Sequence, residues 1–255
     1  MNQSPHVHCF YQPMKEGVRE GIGPDYSIFN GSHPSFDKHQ GKLFFAKEVL
    51  GHSYLEECCF ELFPNQDAIK RSKPLFLLRD PIETWSSWKK CKAAGQQGWE
   101  GVCDLNLFKK AYQHTYETFI NVRKVSEQVT CLTREYLLTN PRQLFKSICR
   151  LWDIPFTENM IDWKQSFDVN SFTCGNDDHR EQLKKKQYDH RETFSRIQHN
   201  DVRKSMSFYA VEKKQDRWQH TLVTPEEREE IEVTLKPLHE KFAIWGEEYY
   251  PLNTL

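Results

Sequence analysis

Arg79 and Ser87, within the stretch Leu75 to Trp88 (L-F-L-L-R-D-P-I-E-T-W-S-S-W), are of types that can hold an anion. Arginine presents a planar, permanently charged fork of donors that matches phosphate oxygens, and a serine hydroxyl adds one more donor. The elements around them predict how they are positioned. Leu75-Phe76-Leu77-Leu78 is a continuous apolar run, as in a short parallel strand covered on both faces. Asp80 as N-cap, Pro81 as first helical residue and Glu83 as the reciprocal acid of a capping box predict that a helix starts at once. Arg79 then stands at the carboxyl end of a strand, where open α/β sheets bind ligands, beside free backbone amides that favour anions. Ser86 and Ser87 follow about two turns into that helix. A purely structural role stays open, in which Arg79 pairs with Asp80 or Glu83 and the serines merely occupy a helix.

A second group with chemical capacity is Lys47, Glu48 and His52. Lys42 to Val49 reads as another buried strand, followed by a helical segment through Phe63, so the three residues fall near the carboxyl edge of a sheet. Lysine offers a cation for developing negative charge, and histidine titrates near neutrality. Glu48 becomes a base if its surroundings raise its pKa. The alternatives are a strand-end lysine that snorkels, an acid that caps a helix and a surface histidine.

Val129 to Pro155 (V-T-C-L-T-R-E-Y-L-L-T-N-P-R-Q-L-F-K-S-I-C-R-L-W-D-I-P) parses as a strand over Val129 to Thr133, an N-cap at Asn140 and a helix opened by Pro141. Leu144, Ile148 and Leu151 recur at helical spacing and predict its buried face. In order and spacing, this segment and R-x-P-x-x-x-x-x-S from Arg79 to Ser87 resemble the sulfotransferase family, over most of Gly41 to Trp163. The resemblance implies that Arg79 and Ser87 hold the 3′-phosphate of 3′-phosphoadenosine 5′-phosphosulfate (PAPS), the sulfuryl donor. It implies Lys47 as the cation at the bridging oxygen and His52 or Glu48 as the base for a hydroxyl or amine of a small-molecule acceptor. In the cytosolic members the lysine and histidine are separated by one residue, whereas Lys47 and His52 are five apart. The implied fold is α/β, a three-layer, mainly parallel sheet of the P-loop nucleotide-hydrolase/sulfotransferase type.

Sulfotransferases hold the 5′-phosphosulfate with a loop resembling P-K-S/T-G-S/T-T, and this sequence has none. Ser4 to Phe10 is similar to the segment after the family's first helix, so the first strand and its loop are expected to be missing. Either upstream residues exist, or this is a shortened relative that binds a nucleotide or protein without turnover. A P-loop kinase would need G-x-x-x-x-G-K-S/T, and Gly41-Lys42 precedes a strand instead of following one.

The whole chain is consistent with one α/β domain over residues 1–255, since 38% apolar residues suffice for one substantial core. A net charge of −1 with interspersed signs argues against nucleic-acid and anionic-membrane surfaces, and no run is long enough to span a bilayer. Eight cysteines without a C-x-x-C pair, and no signal-peptide core at the start, predict a cytoplasmic protein with reduced thiols. His6-x-His8-Cys9 lacks a second half-site, so no metal is expected. The basic stretch Arg180 to Arg191 is expected to be a solvated helical face. Of the tryptophans, Trp85, Trp88, Trp99, Trp152 and Trp163 are assigned mainly to core and rim. Asp104 to Gln128 predicts a long amphipathic helix, and Thr224-Pro225-Glu226-Glu227 opens a last one to about Phe242, divided or kinked by Pro237.

Overall fold

The strands in this computed structural model pair in parallel, which is what short apolar runs separated by helical segments require. It describes residues 4–51, 54–93, 103–139, 141–161, 172–174, 181 and 222–249. Along the chain these form β1 (Val7–Tyr11), α1 (Pro13–Arg19), α2 (Ser27–Asn30), α3 (Ser35–Lys38), β2 (Leu43–Lys47), α4 (Leu55–Cys58) and α5 (Gln66–Arg71). There follow β3 (Leu75–Leu78), α6 (Pro81–Ala93), α7 (Leu105–Val125), β4 (Thr130–Thr133), α8 (Arg134–Thr139), α9 (Pro141–Trp152) and β5 (Phe172–Cys174). The last elements are α10 (Pro225–Thr234) and α11 (Lys236–Tyr249). The protein is therefore a mixed α/β structure. It divides into two compact units, Met1–Val49 with Pro141–Val211 and Leu50–Asn140 with Glu212–Leu255.

In the first unit β1 lies between β2 and β5, with Val7 opposite Leu43 and Tyr11 opposite Lys47. Val7 and Cys9 are buried on one face against Leu43, Phe45 and Ile154. α9 buries Leu144, Ile148, Cys149 and Trp152. The predicted stripe thus turns by one position at its end, where Trp152 is buried and Leu151 is half-buried. Asn140, its expected N-cap, lies outside the described residues.

In the second unit β3 pairs with β4, Leu75 opposite Thr130 and Leu78 opposite Thr133. Its core gathers Phe76, Leu78, Trp85, Phe108, Phe119, Cys131, Ile231 and Phe242. α7 is the long helix expected over Asp104 to Gln128, and Asp104 caps it by accepting from Leu107 N–H at 3.0 Å. α10 opens with a full capping box between Thr224 and Glu227, and the helical pattern divides at Leu235, with Pro237 in the first turn of α11. At Gly246, α11 comes so close to β4 that an added Cβ would lie 2.9 Å from the Cys131 carbonyl oxygen.

Four expectations change. β2, read as a buried strand, is half-buried from Leu43 to Ala46 and exposed at Lys47. β3 is covered on one face: Phe76 and Leu78 are buried while Leu77 is 50% exposed. Strand alternation sends Leu77 to the face opposite the α-helical core, so a continuous apolar run did not mean two covered faces. Among the described residues, the segment from β2 through Phe63, read as helical, holds the single turn α4; before it Gly51 takes φ 106° and its missing Cβ admits the Trp88 ring. The region that follows Gln12-Pro13 up to Gln40, which its Gly, Pro, Ser and His content would make a loop, holds α2, α3 and all but the first residue of α1.

Candidate functional site

At the carboxyl end of β3 the predicted turn forms. Asp80 accepts from the Ile82 and Glu83 N–H groups at 2.9 and 3.0 Å, and Pro81 begins α6. Burial pushes the Asp80 carboxyl up, but the Lys236 ammonium at 2.6 Å and the Glu83 amide outweigh it and hold the group below its ordinary range. These amides are thus not free for a ligand, as the sequence suggested, because Asp80 takes them. The Glu83 carboxylate faces Arg79, accepting from its Nε at 3.1 Å, and an ion pair to Nη2 is also 3.1 Å long. The Arg79 carbonyl accepts from Tyr112 Oη at 3.0 Å, which pins the turn to α7.

Ser87 lies four residues after Glu83, on the same face of α6 and one turn further along. Ser86 is buried, and Trp85 beneath it stacks on Phe108 at 5.4 Å. The arrangement can bind an anion at Arg79 with Ser87 as a neighbouring donor. It also makes the Arg79–Glu83 pair that a structural role requires.

In the first unit Lys47 and Glu48 end β2. Lys47 is exposed, with Nζ 5.0 Å from the Tyr11 ring centroid. Glu48 Oε1 accepts from Met14 N–H at 2.8 Å, so a strand-end acid caps α1, whose own N-cap residue Gln12 offers no side-chain bond and sits at φ 49°. Burial raises the Glu48 carboxyl from 4.5 to about 7, against the Met14 and Lys15 amides and the nearby Lys15 ammonium. Lys15 itself is 1% exposed and donates to the Val49 carbonyl at 3.2 Å. The group is therefore poised near neutrality, as a base needs, while its oxygen is engaged in a helix cap.

His52, Trp99 and Trp163 lie outside the described residues, as does all of Arg180 to Arg191 except Glu181. Trp152 is buried and Trp88 packs on Phe108 at 5.2 Å, in keeping with core and rim. His8 stacks on His39 at 3.7 Å, and its Nε2 lies 2.8 Å from Thr173 Oγ1. Among the described residues no group of three or more His, Cys, Asp or Glu is arranged to hold a metal ion. Seven described cysteines carry free thiols. No helix among the described residues is long and apolar enough to cross a membrane. A cavity of about 550 Å³ between α5 and α7, lined by Gln66, Ile69, Lys70, Asn121, Lys124 and Val125, contains none of the predicted site residues.

Sequence reasoning passed over Arg134, Lys15, Lys236 and His239. Arg134 directly follows β4 as Arg79 follows β3, so the strand-end rule that selected one would have selected both. The other three carry no such signal, since their partners are distant in sequence: Lys236 meets Asp80, and His239 Nε2 lies 3.7 Å from Glu135.

These elements define a mixed α/β protein with an arginine-bearing turn at a parallel strand end. Comparison with protein-family models and with curated proteins finds no match to this chain.

Proposed function

We propose that this protein is a sulfotransferase-type protein on a three-layer P-loop-like fold, binding PAPS and modifying a hydroxyl or amine of a small molecule. The observation that carries the reading is the turn itself. Arg79 ends a parallel strand, Pro81 starts the capped helix α6, and Ser87 lies on the helix face of Glu83, at the spacing of the family's 3′-phosphate segment. Arg79 is 28% exposed, so its guanidinium is reachable by a ligand while its backbone is pinned by Tyr112. These residues fit a 3′-phosphate. PAPS would supply the sulfuryl group, and no residue here matches the loop for its 5′ end. Lys47 is a solvent-accessible cation and Glu48 a carboxyl that exchanges its proton near pH 7.

A second reading, binding without turnover, is favoured by the engagement of Glu48 in the α1 cap. Calorimetric titration with 3′,5′-bisphosphoadenosine tests the shared step. Micromolar binding is expected, and Arg79→Ala should weaken it by about 10- to 100-fold, the worth of a charge-assisted hydrogen bond. Absence of binding, or binding indifferent to Arg79, overturns both readings. Sulfuryl transfer from labelled PAPS to a panel of phenols, alcohols and amines then separates enzyme from binding module.

A further inference from the structure

We propose that Arg134 is the second cation of the Arg79 anion site, and that Glu83 is an internal counter-ion which a phosphate monoester displaces. The register of the second sheet brings the two arginines together. Leu78 is opposite Thr133 in the parallel ladder, so Arg79 and Arg134 leave neighbouring strands at the same edge, about 4.8 Å apart at the backbone. Both guanidinium groups turn to one oxygen: Glu83 Oε2 is 3.1 Å from Arg79 Nη2 and 3.8 Å from Arg134 Nη1. One carboxylate charge thus faces two guanidinium charges.

Of the neighbouring acids, Asp80 caps α6 and pairs with Lys236, while Glu135 turns toward His239 Nε2 at 3.7 Å, with both its oxygens buried and without a hydrogen bond among the described residues. A phosphate monoester brings up to two charges and three acceptor oxygens, which suits a pair of guanidinium forks better than a single carboxylate oxygen does. All three side chains are partly exposed, Arg79 at 28%, Arg134 at 38% and Glu83 at 25%, so Glu83 can swing into water without opening the core. Ser87, one helical turn beyond Glu83 on the same face, is then next to the incoming phosphate.

The inference shares its site with the proposed function, yet it concerns phosphate chemistry and stands or falls separately. The test is calorimetric titration at constant salt with two probes, 3′,5′-bisphosphoadenosine and inorganic phosphate. The proteins are wild type, Arg79→Ala, Arg134→Ala, Arg134→Lys and Glu83→Gln, each with its thermal melt recorded. The expected result is a roughly 10-fold loss in Arg134→Ala, smaller in Arg134→Lys, and a several-fold gain in Glu83→Gln, whose neutral amide competes less well for the arginines.

Nucleotide binding that needs Arg79 but is unchanged in both Arg134 variants and in Glu83→Gln overturns the inference and leaves the sulfotransferase reading intact. Phosphate binding with the expected pattern, but no extra affinity for the nucleotide, supports the inference and removes that reading. Weaker binding in Glu83→Gln with an unchanged melt also overturns it, because Glu83 would then be helping the ligand. If wild type binds neither probe, both fall. Should Arg134→Ala fail to fold, Arg134→Lys and Glu83→Gln still decide.

Discussion

Glu48 and His8 are titratable groups of the same unit whose burial shifts them in opposite directions. Burial moves Glu48 up from 4.5 to about 7. For His8, burial and then the charges of His39, Lys42 and His33 lower it from 6.5 to about 4. A raised carboxyl contributes stability below pH 4.5 that is lost as pH rises through about 7. A lowered imidazole contributes stability above pH 6.5 that is lost as pH falls through about 4. Between roughly pH 4.5 and 6.5 the two slopes oppose each other. Urea midpoints across that window should therefore change little through these groups in the wild type, rise with pH in Glu48→Gln and fall with pH in His8→Asn. Equal slopes in all three proteins would refute the assignment. At this scale the sequence was informative where a rule of position applied. Asp80 and Pro81 are read from a cap and do the local jobs assigned to them, and Arg79 stands at the strand end as read, paired with Glu83. It was silent on Lys15 and Lys236, because a lysine's partner is set by tertiary packing between residues far apart in the chain.

Helices with local start signals were the legible elements. Asp104 and Thr224 each place a side-chain oxygen on a first-turn amide, an interaction contained within four residues and so visible in sequence. β2, β3 and β4 were legible by apolar or β-branched runs and β5 was not; the covering was hidden too, since the exposure of Leu77 depends on what packs against β3. α1 was hidden because its cap comes from Glu48 on another strand, beyond any local pattern. The approach of α11 to β4 was hidden as well, and Gly246 is its only local trace. Replacing Gly246 by Ala should destabilise the protein by about 1–3 kcal/mol through overpacking against the Cys131 carbonyl, partly offset by roughly 1 kcal/mol of helix propensity. Gly246→Val forfeits much of that offset and should be worse. Thermal melts of the two variants check the order, and a stabilised Gly246→Ala would mean that the helix can retreat from the strand at little cost.

For the whole molecule the decisive feature is that each unit is assembled from two separated stretches of chain. The core of Leu50–Asn140 is completed by Ile231, Leu235 and Phe242, all essentially inaccessible, and the Arg79 turn is tied to Lys236. A fragment of residues 1–140 should consequently show no cooperative urea transition and no protected amides in β3 and β4 by hydrogen exchange; slow exchange there would contradict the role given to α10 and α11. The same arrangement has a consequence during synthesis. After Asn140 the ribosome must add roughly 85 residues before α10 begins, a delay of several seconds at about 5–20 residues per second. Through that interval Phe76, Leu78 and Phe119 have α7 beside them but lack the cover of α10 and α11, so the nascent chain is a substrate for chaperones and vulnerable to self-association. A premature stop before Lys236 would release a chain in that unfinished state, its strand-end arginine present but without the helix that anchors the turn.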